Sequence, residues 1–217
     1  MTRRHEVLAE MGLAPVWRLR NRPASAPVAP AETGAPWIEI KQAVPACTAC
    51  ALHKSRTQTV FGVGDENADW MLIGEAPGAE EDRLGEPFVG QAGKLLDNML
   101  AAIDLNRTEN VYIANVLKCR PPGNRNPEPD EVSKCTPFLK TQIALIQPKL
   151  IIAMGRFAAQ TLLSSDATIA SLRGKVYRYE GVPLIVTYHP AYLLRNLPDK
   201  AKAWADLVFA KKTMATL

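Results

Sequence analysis

Residues 69–93 read DWMLIGEAPGAEEDRLGEPFVGQAG, and this stretch indicates the fold more clearly than any other part of the chain. Its first five residues form a short, mostly apolar run that is typical of a buried parallel strand. After the glycine-rich part, apolar residues recur at helical spacing from Leu95 to Ile103, so we expect a helix there. The loop between them leaves the carboxyl end of a strand, where open α/β sheets bind ligands.

This loop is either a functional segment or a mobile surface connection, and its composition favours function. It combines glycines and prolines with an apolar anchor, Phe88, and with carboxylates at Glu80, Glu81, Asp82 and Glu86. A nucleotide phosphate site is disfavoured, because the loop has neither GxxxxGK[ST] nor GxGxxG and its carboxylates would repel phosphate.

The rest of the chain alternates strand and helix patterns. Strands are predicted at 110–117, 150–154 and 183–187, an edge strand at 175–179, and helices at 128–146, from Gly155 and from about Asp199. In the last helix we expect Ala203, Trp204, Leu207 and Val208 to face the core. This alternation predicts a parallel sheet covered on both faces. We therefore expect a three-layer α/β/α sandwich around a central four-stranded parallel sheet.

The composition is that of a globular protein. Hydrophobic residues make up 47% of the 217 residues, and no apolar run approaches the roughly 18 residues that span a bilayer. The amino-terminal MTRRHE leads into mixed charge rather than a secretory signal, so we expect a cytoplasmic protein without a membrane partner. The net charge of +4 is compatible with nucleic acid binding but is equally typical of a solvated surface.

Four cysteines, Cys47, Cys50, Cys119 and Cys135, form what we call the four-cysteine site. Disulfides are rare in the cytoplasm, and a CxxC pair is too tight for a comfortable structural disulfide. Four buried thiols are one interpretation, but the polar sequence around the CxxC pair favours a metal site. Tetrahedral zinc and a [4Fe–4S] cluster both accept four thiolates, and the chemistry alone leaves both open.

Three motifs and the cysteine spacing together resemble a known family. The motifs are the loop at 74–93, NVLKCRPP at 115–122 and HPAYLLR at 189–195. In this order they resemble the iron–sulfur-containing family, usually numbered four, of the uracil-DNA glycosylase superfamily, over about residues 38–214. The resemblance implies a monofunctional glycosylase that releases uracil from single- and double-stranded DNA and leaves an abasic site for base excision repair. It also implies a [4Fe–4S] cluster on the four cysteines, with structural zinc as the alternative.

The expected organisation is one domain with an amino-terminal extension. Residues 1–20 form a tail with a possible short amphipathic helix, residues 21–36 a Pro/Ala-rich linker, and residues 37–217 the glycosylase domain with the four-cysteine site. The tail either packs on the domain or binds a repair or replication protein. We expect the protein to be a monomer.

The resemblance implies three catalytic residues. Asn115 would hydrogen bond the edge of the flipped uracil and select it over cytosine, and His189 would donate to uracil O2 as the base leaves. The best-known members of the superfamily orient water with an aspartate and block the methyl group of thymine with a tyrosine. The aligned positions here look like Ala76 and Gly78, which can do neither, so Glu75 is the expected catalytic helper.

Further residues would hold the base. Phe88 would stack on uracil, and the backbone at Gly74, Glu75 and Ala76 would contact it. Glu81 would support the loop or form a wall that excludes thymine. Taken alone, Phe88 would be assigned to the core, and it is the motif around it that favours the binding role.

DNA contacts are expected from the third motif and from basic residues. Leu193 or Leu194 would act as a wedge in the vacated stack. The candidates for phosphate contacts are Arg195, Arg120, Arg173, Lys118 and Arg125. Each of these side chains is equally well explained as a solvated surface charge. Three rival functions remain: an enzyme for another damaged base, a noncatalytic iron–sulfur DNA-binding module, and a zinc-bound interaction domain.

Overall fold

A computed structural model describes residues 35–217 of the chain. Within that range the sheet has six strands in the order β1-β3-β2-β4-β6-β5. The strands are β1 Val63–Gly64, β2 Trp70–Gly74, β3 Val111–Asn115, β4 Leu150–Met154, β5 Val176–Tyr179 and β6 Val182–Thr187. The predicted helix in residues 1–20 and nearly all of the predicted linker lie outside the described residues.

The four central strands β3, β2, β4 and β6 pair in parallel, which confirms the predicted four-stranded parallel core. Two antiparallel strands flank it: β5 pairs with β6 on one edge, close to the predicted edge strand, and β1 pairs with β3 on the other. The sequence gives no sign of β1, because its two residues are too short for a periodic pattern.

Helices cover both faces of the sheet. They are α1 Ala35–Ala46, α2 Ala79–Leu84, α3 Gln91–Ala101, α4 Pro129–Ile146, α5 Arg156–Leu163, α6 Ile169–Leu172, α7 Pro190–Arg195 and α8 Lys200–Met214, with short 3₁₀ turns at Ala51–Lys54, Pro122–Asn124 and Leu197–Asp199. Helix α1 begins at Ala35, so the last two residues of the predicted linker are helical. A proline is tolerated there because the first turn needs no amide donor.

The two core clusters follow from strand alternation. In β2, Met71 and Ile73 pack with residues of α1, α4, α5 and α6, whereas Trp70 and Leu72 pack with residues of α3, α7 and α8. Successive side chains of a strand point to opposite faces, so an apolar run with both faces buried joins two helical layers. The three-layer α/β/α sandwich is therefore confirmed. Among residues 35–217, no helix has both the length and the apolar character needed to cross a membrane.

The glycine-rich segment is shorter as a loop than the sequence suggests, because it contains α2. Glu80, Glu81 and Asp82 lie in the first turn of this helix, where carboxylates interact favourably with the helix dipole. Gly85 ends the helix with a φ of +81°, a conformation that glycine adopts without strain.

The predicted core face of the last helix is wrong at Trp204 and Val208, since Val208 is only half-buried and packs in neither core cluster. Trp204 is 48% exposed, and the buried positions of α8 are Ala203, Asp206, Leu207 and Ala210. These follow the i, i+3, i+4, i+7 spacing of one helix face. The pattern was obscured because the stripe contains a buried aspartate, while the large apolar side chain lies beside it.

Candidate active site

A cleft of about 430 Å³ opens at the carboxyl ends of the parallel strands. The residues that line it follow β2, β3 and β6, as expected for a ligand site in an open α/β sheet. They are Glu75, Ala76, Pro77, Gly78, Glu81, Phe88, Ala92, Asn115, Pro121, Asn124, Arg125, Asn126, His189, Ala191, Tyr192 and Arg195. Of the predicted uracil-binding residues, the structure thus brings together every one except Gly74, which lies just behind the cleft wall.

Asn115, the last residue of β3, lines this cleft and has an unpaired polar atom. The residue is 2% exposed, and its Oδ1 is buried without a hydrogen-bond partner. Gly74 explains how the amide fits: a Cβ there would lie 2.3 Å from Asn115 Oδ1 and 2.7 Å from Phe88 Cζ. A buried acceptor without a donor costs about 1–3 kcal/mol, which a ligand with a matching donor would recover.

Phe88 is held in an unusual backbone conformation. Its φ is +56°, which is uncommon for a bulky residue and points to a position fixed by its surroundings. Glu81 Oε1 accepts hydrogen bonds from the amides of Val89 at 3.1 Å and Gly90 at 3.3 Å, and Arg107 donates to the carbonyl of Phe88 at 2.9 Å. These contacts agree with the supporting position predicted for Glu81.

His189 lies at the end of β6 and caps α7. Its Nδ1 accepts a hydrogen bond from the amide of Ala191 at 3.1 Å, which leaves the ring proton of the neutral imidazole on Nε2. Burial lowers the pKa of His189 to about 4, with Glu81 opposing this shift and Arg195 adding to it. The ring stacks on Phe88, with centroids 5.4 Å apart and an interplanar angle of 28°. At neutral pH, His189 is therefore an uncharged hydrogen-bond donor.

Glu75 and Ala76 follow β2 directly. Burial raises the pKa of Glu75, and the nearby Arg156, at the start of α5, opposes the shift. The carbonyl of Glu75 accepts from the amide of Leu117 at 3.0 Å, which extends the β2–β3 pairing into the cleft wall. A half-buried carboxylate with a raised pKa is typical of catalytic sites. The sequence analysis did not identify Arg156, because this residue lies outside the three motifs that carry the resemblance.

Of the two leucines predicted as the wedge, the structure exposes Leu194 and buries Leu193. Leu193 is 1% exposed and packs in the core with residues of α3 and α8, so it cannot reach DNA in this conformation. Leu194 is 41% exposed on the same helix. The two residues differ by about 100° around α7, which separates a core position from a surface position.

Two of the predicted phosphate contacts already have partners within the protein. Arg173 is engaged with the buried Asp206, its Nε lying 2.7 Å from Oδ2, and its guanidinium lies over the ring of Tyr188. Lys118 is buried and donates to Gln142 Oε1 at 2.6 Å. Lys118 is therefore inaccessible to a phosphate, and the guanidinium of Arg173 already has an anionic partner.

The remaining basic candidates differ in whether their guanidinium groups already have a side-chain partner. Arg195 is exposed at the cleft. Arg120 donates to Asn124 Oδ1 at 2.7 Å, and Arg125 forms an ion pair with Glu131 with Nη2 and Oε1 2.6 Å apart. Arg125 therefore fastens the loop after β3 to α4.

Tyr192 is a cleft residue that the sequence did not single out. Its ring stacks on Tyr188, with centroids 5.2 Å apart and an interplanar angle of 11°, and its hydroxyl donates to Asp199 at 2.7 Å. Tyr192 lies within the motif HPAYLLR, which could have marked it as a candidate site residue. Whether its side chain lines the cleft depends on the tertiary fold, which the sequence does not show.

The four-cysteine site comes together in three dimensions. All four thiols line one small cavity together with His53, Arg56, Lys118 and Lys134, and no carboxylate lines it within the described range. Arg56 Nη1 lies 3.2 Å from Cys119 Sγ, and the amide of Lys118 lies 3.2 Å from Cys135 Sγ. As the side chains stand, no group of three or more Cys, His, Asp or Glu residues in 35–217 is arranged to hold a metal ion.

The donors around the sulfurs fit an anionic centre with four thiolates. Burial raises the pKa of the free Cys135 thiol to about 11, against the effect of Lys118, so the thiolate needs a metal in place of its proton. Cations and N–H donors toward sulfur are the outer contacts that stabilise such centres. The residues present therefore fit either a zinc ion or an iron–sulfur cluster.

Residues 61–208 match the model of the Uracil DNA glycosylase superfamily, which covers more than half of the chain. The chain belongs to this superfamily. The matched range contains the whole cleft and, of the four-cysteine site, Cys119 and Cys135.

Several relatives are similar over most of their length. The type-4 uracil-DNA glycosylase of Archaeoglobus fulgidus is 50% identical over 164 residues, covering 72% of this chain and 82% of the relative. Those of Sulfurisphaera tokodaii and Thermotoga maritima are 45% and 44% identical, covering 73% and 75% of this chain and 76% and 85% of the relatives.

Proposed function

We propose that this chain is a monofunctional uracil-DNA glycosylase that acts in base excision repair. It would hydrolyse the N-glycosidic bond of deoxyuridine in single- and double-stranded DNA and leave an abasic site. The observation that carries the proposal is the unpaired Oδ1 of Asn115, which lines the same cleft as the uncharged donor His189. The names of the similar type-4 enzymes support the same substrate.

Asn115 selects the base through its two amide groups. Its Oδ1 accepts the N3–H of uracil, and its Nδ2 donates to O4. Cytosine presents the opposite pattern, with an unprotonated N3 and an amino group, so it would leave both atoms of the amide mismatched. A site built to hydrogen bond one base rejects the other strongly, because buried polar groups would stay unpaired.

His189 stabilises the leaving base. Breaking the glycosidic bond places negative charge on uracil, and a donor already oriented toward O2 lowers the barrier without reorganisation. The amide of Ala191 fixes the tautomer that carries the proton on Nε2. Phe88 supplies the stacking surface for the base, and Glu81 holds the Phe88 loop.

Glu75 orients the attacking water. It is the cleft carboxylate that directly follows β2, and its ionised form can accept a proton from water as the sugar cation develops. Gly74 leaves room for the Asn115 amide and the Phe88 ring, which would hold the base. Among the residues described as lining the cleft there is no lysine, so an amine nucleophile for lyase chemistry is not provided.

The four-cysteine site would hold a [4Fe–4S] cluster, with zinc as the alternative. Cys47, Cys50, Cys119 and Cys135 would be its ligands, and the bound group would supply structural cross-linking rather than reaction chemistry. The protein would act as a monomer on DNA, with Leu194 as the wedge and Arg195 on a phosphate. Residues 1–36 remain a candidate tail and linker for a repair or replication partner.

His189→Ala tests the assignment. The variant should release uracil about 100- to 1,000-fold more slowly, the usual cost of removing one preorganised donor. Its affinity for uracil-containing DNA, measured by fluorescence anisotropy, should stay within about twofold, because His189 contributes little to phosphate binding. Lys140→Met, at an exposed position of α4, is the control that should change neither quantity. Equal rates for His189→Ala and the unchanged protein would refute the role of His189.

A further inference from the structure

Lys118 is a buried ammonium group with no part in the chemistry just described. The residue is 1% exposed. Burial of a charged group is costly unless it is fully hydrogen bonded, so its partners indicate what holds it there. Its Nζ donates to the main-chain carbonyl of Asn115 at 3.0 Å and to Gln142 Oε1 at 2.6 Å.

The same residue contacts the four-cysteine site through its main chain. The amide of Lys118 donates to Cys135 Sγ at 3.2 Å, and the next residue in sequence is Cys119. Gln142 and Cys135 both belong to α4. Lys118 therefore contacts the end of β3 at Asn115, helix α4 at Gln142, and the thiol of Cys135.

The contact to Asn115 lies beyond the two residue pairs that join β1 to β3, Val63 with Ile113 and Gly64 with Tyr112. Beyond Asn115, the amides of Val116 and Leu117 still pair with Gly74 and Glu75, both at 3.0 Å. The Asn115 carbonyl is instead held by the lysine side chain. Because the amide of Asn115 has to meet two atoms of a base at once, a small rotation of its main chain would misplace both.

We propose that Lys118 is a positioning residue for base recognition, which fixes the main chain of Asn115 and ties it to the four-cysteine site. This inference rests on the proposed uracil excision. It assigns the buried lysine to the orientation of the Asn115 amide. It also gives the four-cysteine site a second role, since α4 and Cys135 determine where Lys118 lies.

A double-mutant cycle separates positioning from general stabilisation. Lys118→Met keeps the length of the side chain but removes the donor, and single-turnover uracil release should slow about 10- to 100-fold. In the Asn115→Ala background, where no amide remains to be positioned, Lys118→Met should slow release less than about threefold further. Gln142→Met removes the side-chain acceptor of Lys118, together with the hydrogen bonds from Gln142 Nε2 to the Phe61 carbonyl and the Tyr112 hydroxyl, and should show the same pattern with a smaller loss.

Two readouts besides activity accompany the cycle. Iron per protein should be unchanged in Lys118→Met, and so should affinity for DNA with an abasic-site analogue, which has no base for Asn115 to meet. Equal losses with and without the Asn115 side chain, or weaker binding to the abasic analogue, would overturn the inference. If the unchanged protein releases no uracil, it is the proposed function that fails, whereas additive losses in an active enzyme reject only the role of Lys118.

Discussion

Asn115 and His189 reach the cleft from different strands, and each is held in place by a hydrogen bond that involves the main chain. Lys118 Nζ donates to the Asn115 carbonyl, and the Ala191 amide donates to His189 Nδ1. In the proposed mechanism, base selection and leaving-group stabilisation thus depend on side chains oriented before substrate arrives. Such preorganisation is what allows single residues to change specificity or rate.

Asn115→Asp should change the base that is accepted. The carboxylate keeps an acceptor but loses the Nδ2 donor to uracil O4, so uracil release should slow about 100-fold. The new acceptor matches the amino group of cytosine, and slow cytosine release should become measurable. Single-turnover assays on matched uracil and cytosine oligonucleotides check this, with Lys140→Met as the control. Unaltered preference for uracil would contradict the assigned pairing.

The rate of uracil release should depend on pH through the ionisation of Glu75. Burial raises its pKa above the usual 4.5, so the ionised form is lost, and the rate falls, as the pH drops through that raised value. His189 stays uncharged until about pH 4. Glu75→Gln should be about 100-fold slower and lack this fall. Arg156→Met should move the fall to higher pH, because Arg156 lowers the pKa of Glu75. A fall that persists in Glu75→Gln would reject Glu75 as its source.

The cleft residues were predictable because they lie in short motifs at strand ends, where local sequence determines position. Glu75, Asn115 and His189 follow this rule. Arg173 and Lys118 did not, because their partners Asp206 and Gln142 are distant in sequence. A basic residue in a motif carries no sign of whether its charge faces DNA or a buried partner.

At the scale of elements, helix α7 places two neighbouring leucines differently: Leu193 is buried in the core, and Leu194 is exposed. Leu193→Ala should lower the free energy of unfolding by about 2–5 kcal/mol, as expected for a buried leucine. Leu194→Ala should change stability by less than about 0.5 kcal/mol. It should slow uracil release from double-stranded DNA more than from single strands, because a wedge replaces a base in a stacked duplex.

Chemical denaturation and the ratio of single- to double-strand rates measure these effects. The opposite result, a Leu193→Ala variant that stays stable but loses duplex activity, would make Leu193 the wedge instead. The leucine choice was beyond the sequence, because a six-residue helix has too few turns to show a clear apolar face. For the same reason the sequence of the six-residue α2 shows no helical pattern.

At the scale of the whole molecule, the parallel sheet was predictable because its central strands are continuous apolar runs with helices between them. The antiparallel edge strand β1 was not, since its pairing with β3 depends on contacts distant in sequence. The sheet gathers three strand ends into one cleft, and the four-cysteine site lies behind β3 and α4. Lys118 contacts both Asn115 in the cleft and Cys135 in the four-cysteine site, so the fold places the two sites next to each other.

Release of free uracil from a single-stranded oligonucleotide, against a matched oligonucleotide with thymine at the same position, tests the central claim most directly. Protein with its four-cysteine site filled should release uracil from the first strand and leave the second intact. That result would also show that the cleft excludes the methyl group without a tyrosine at Gly78. Release from neither strand, or equal release from both, would contradict the account.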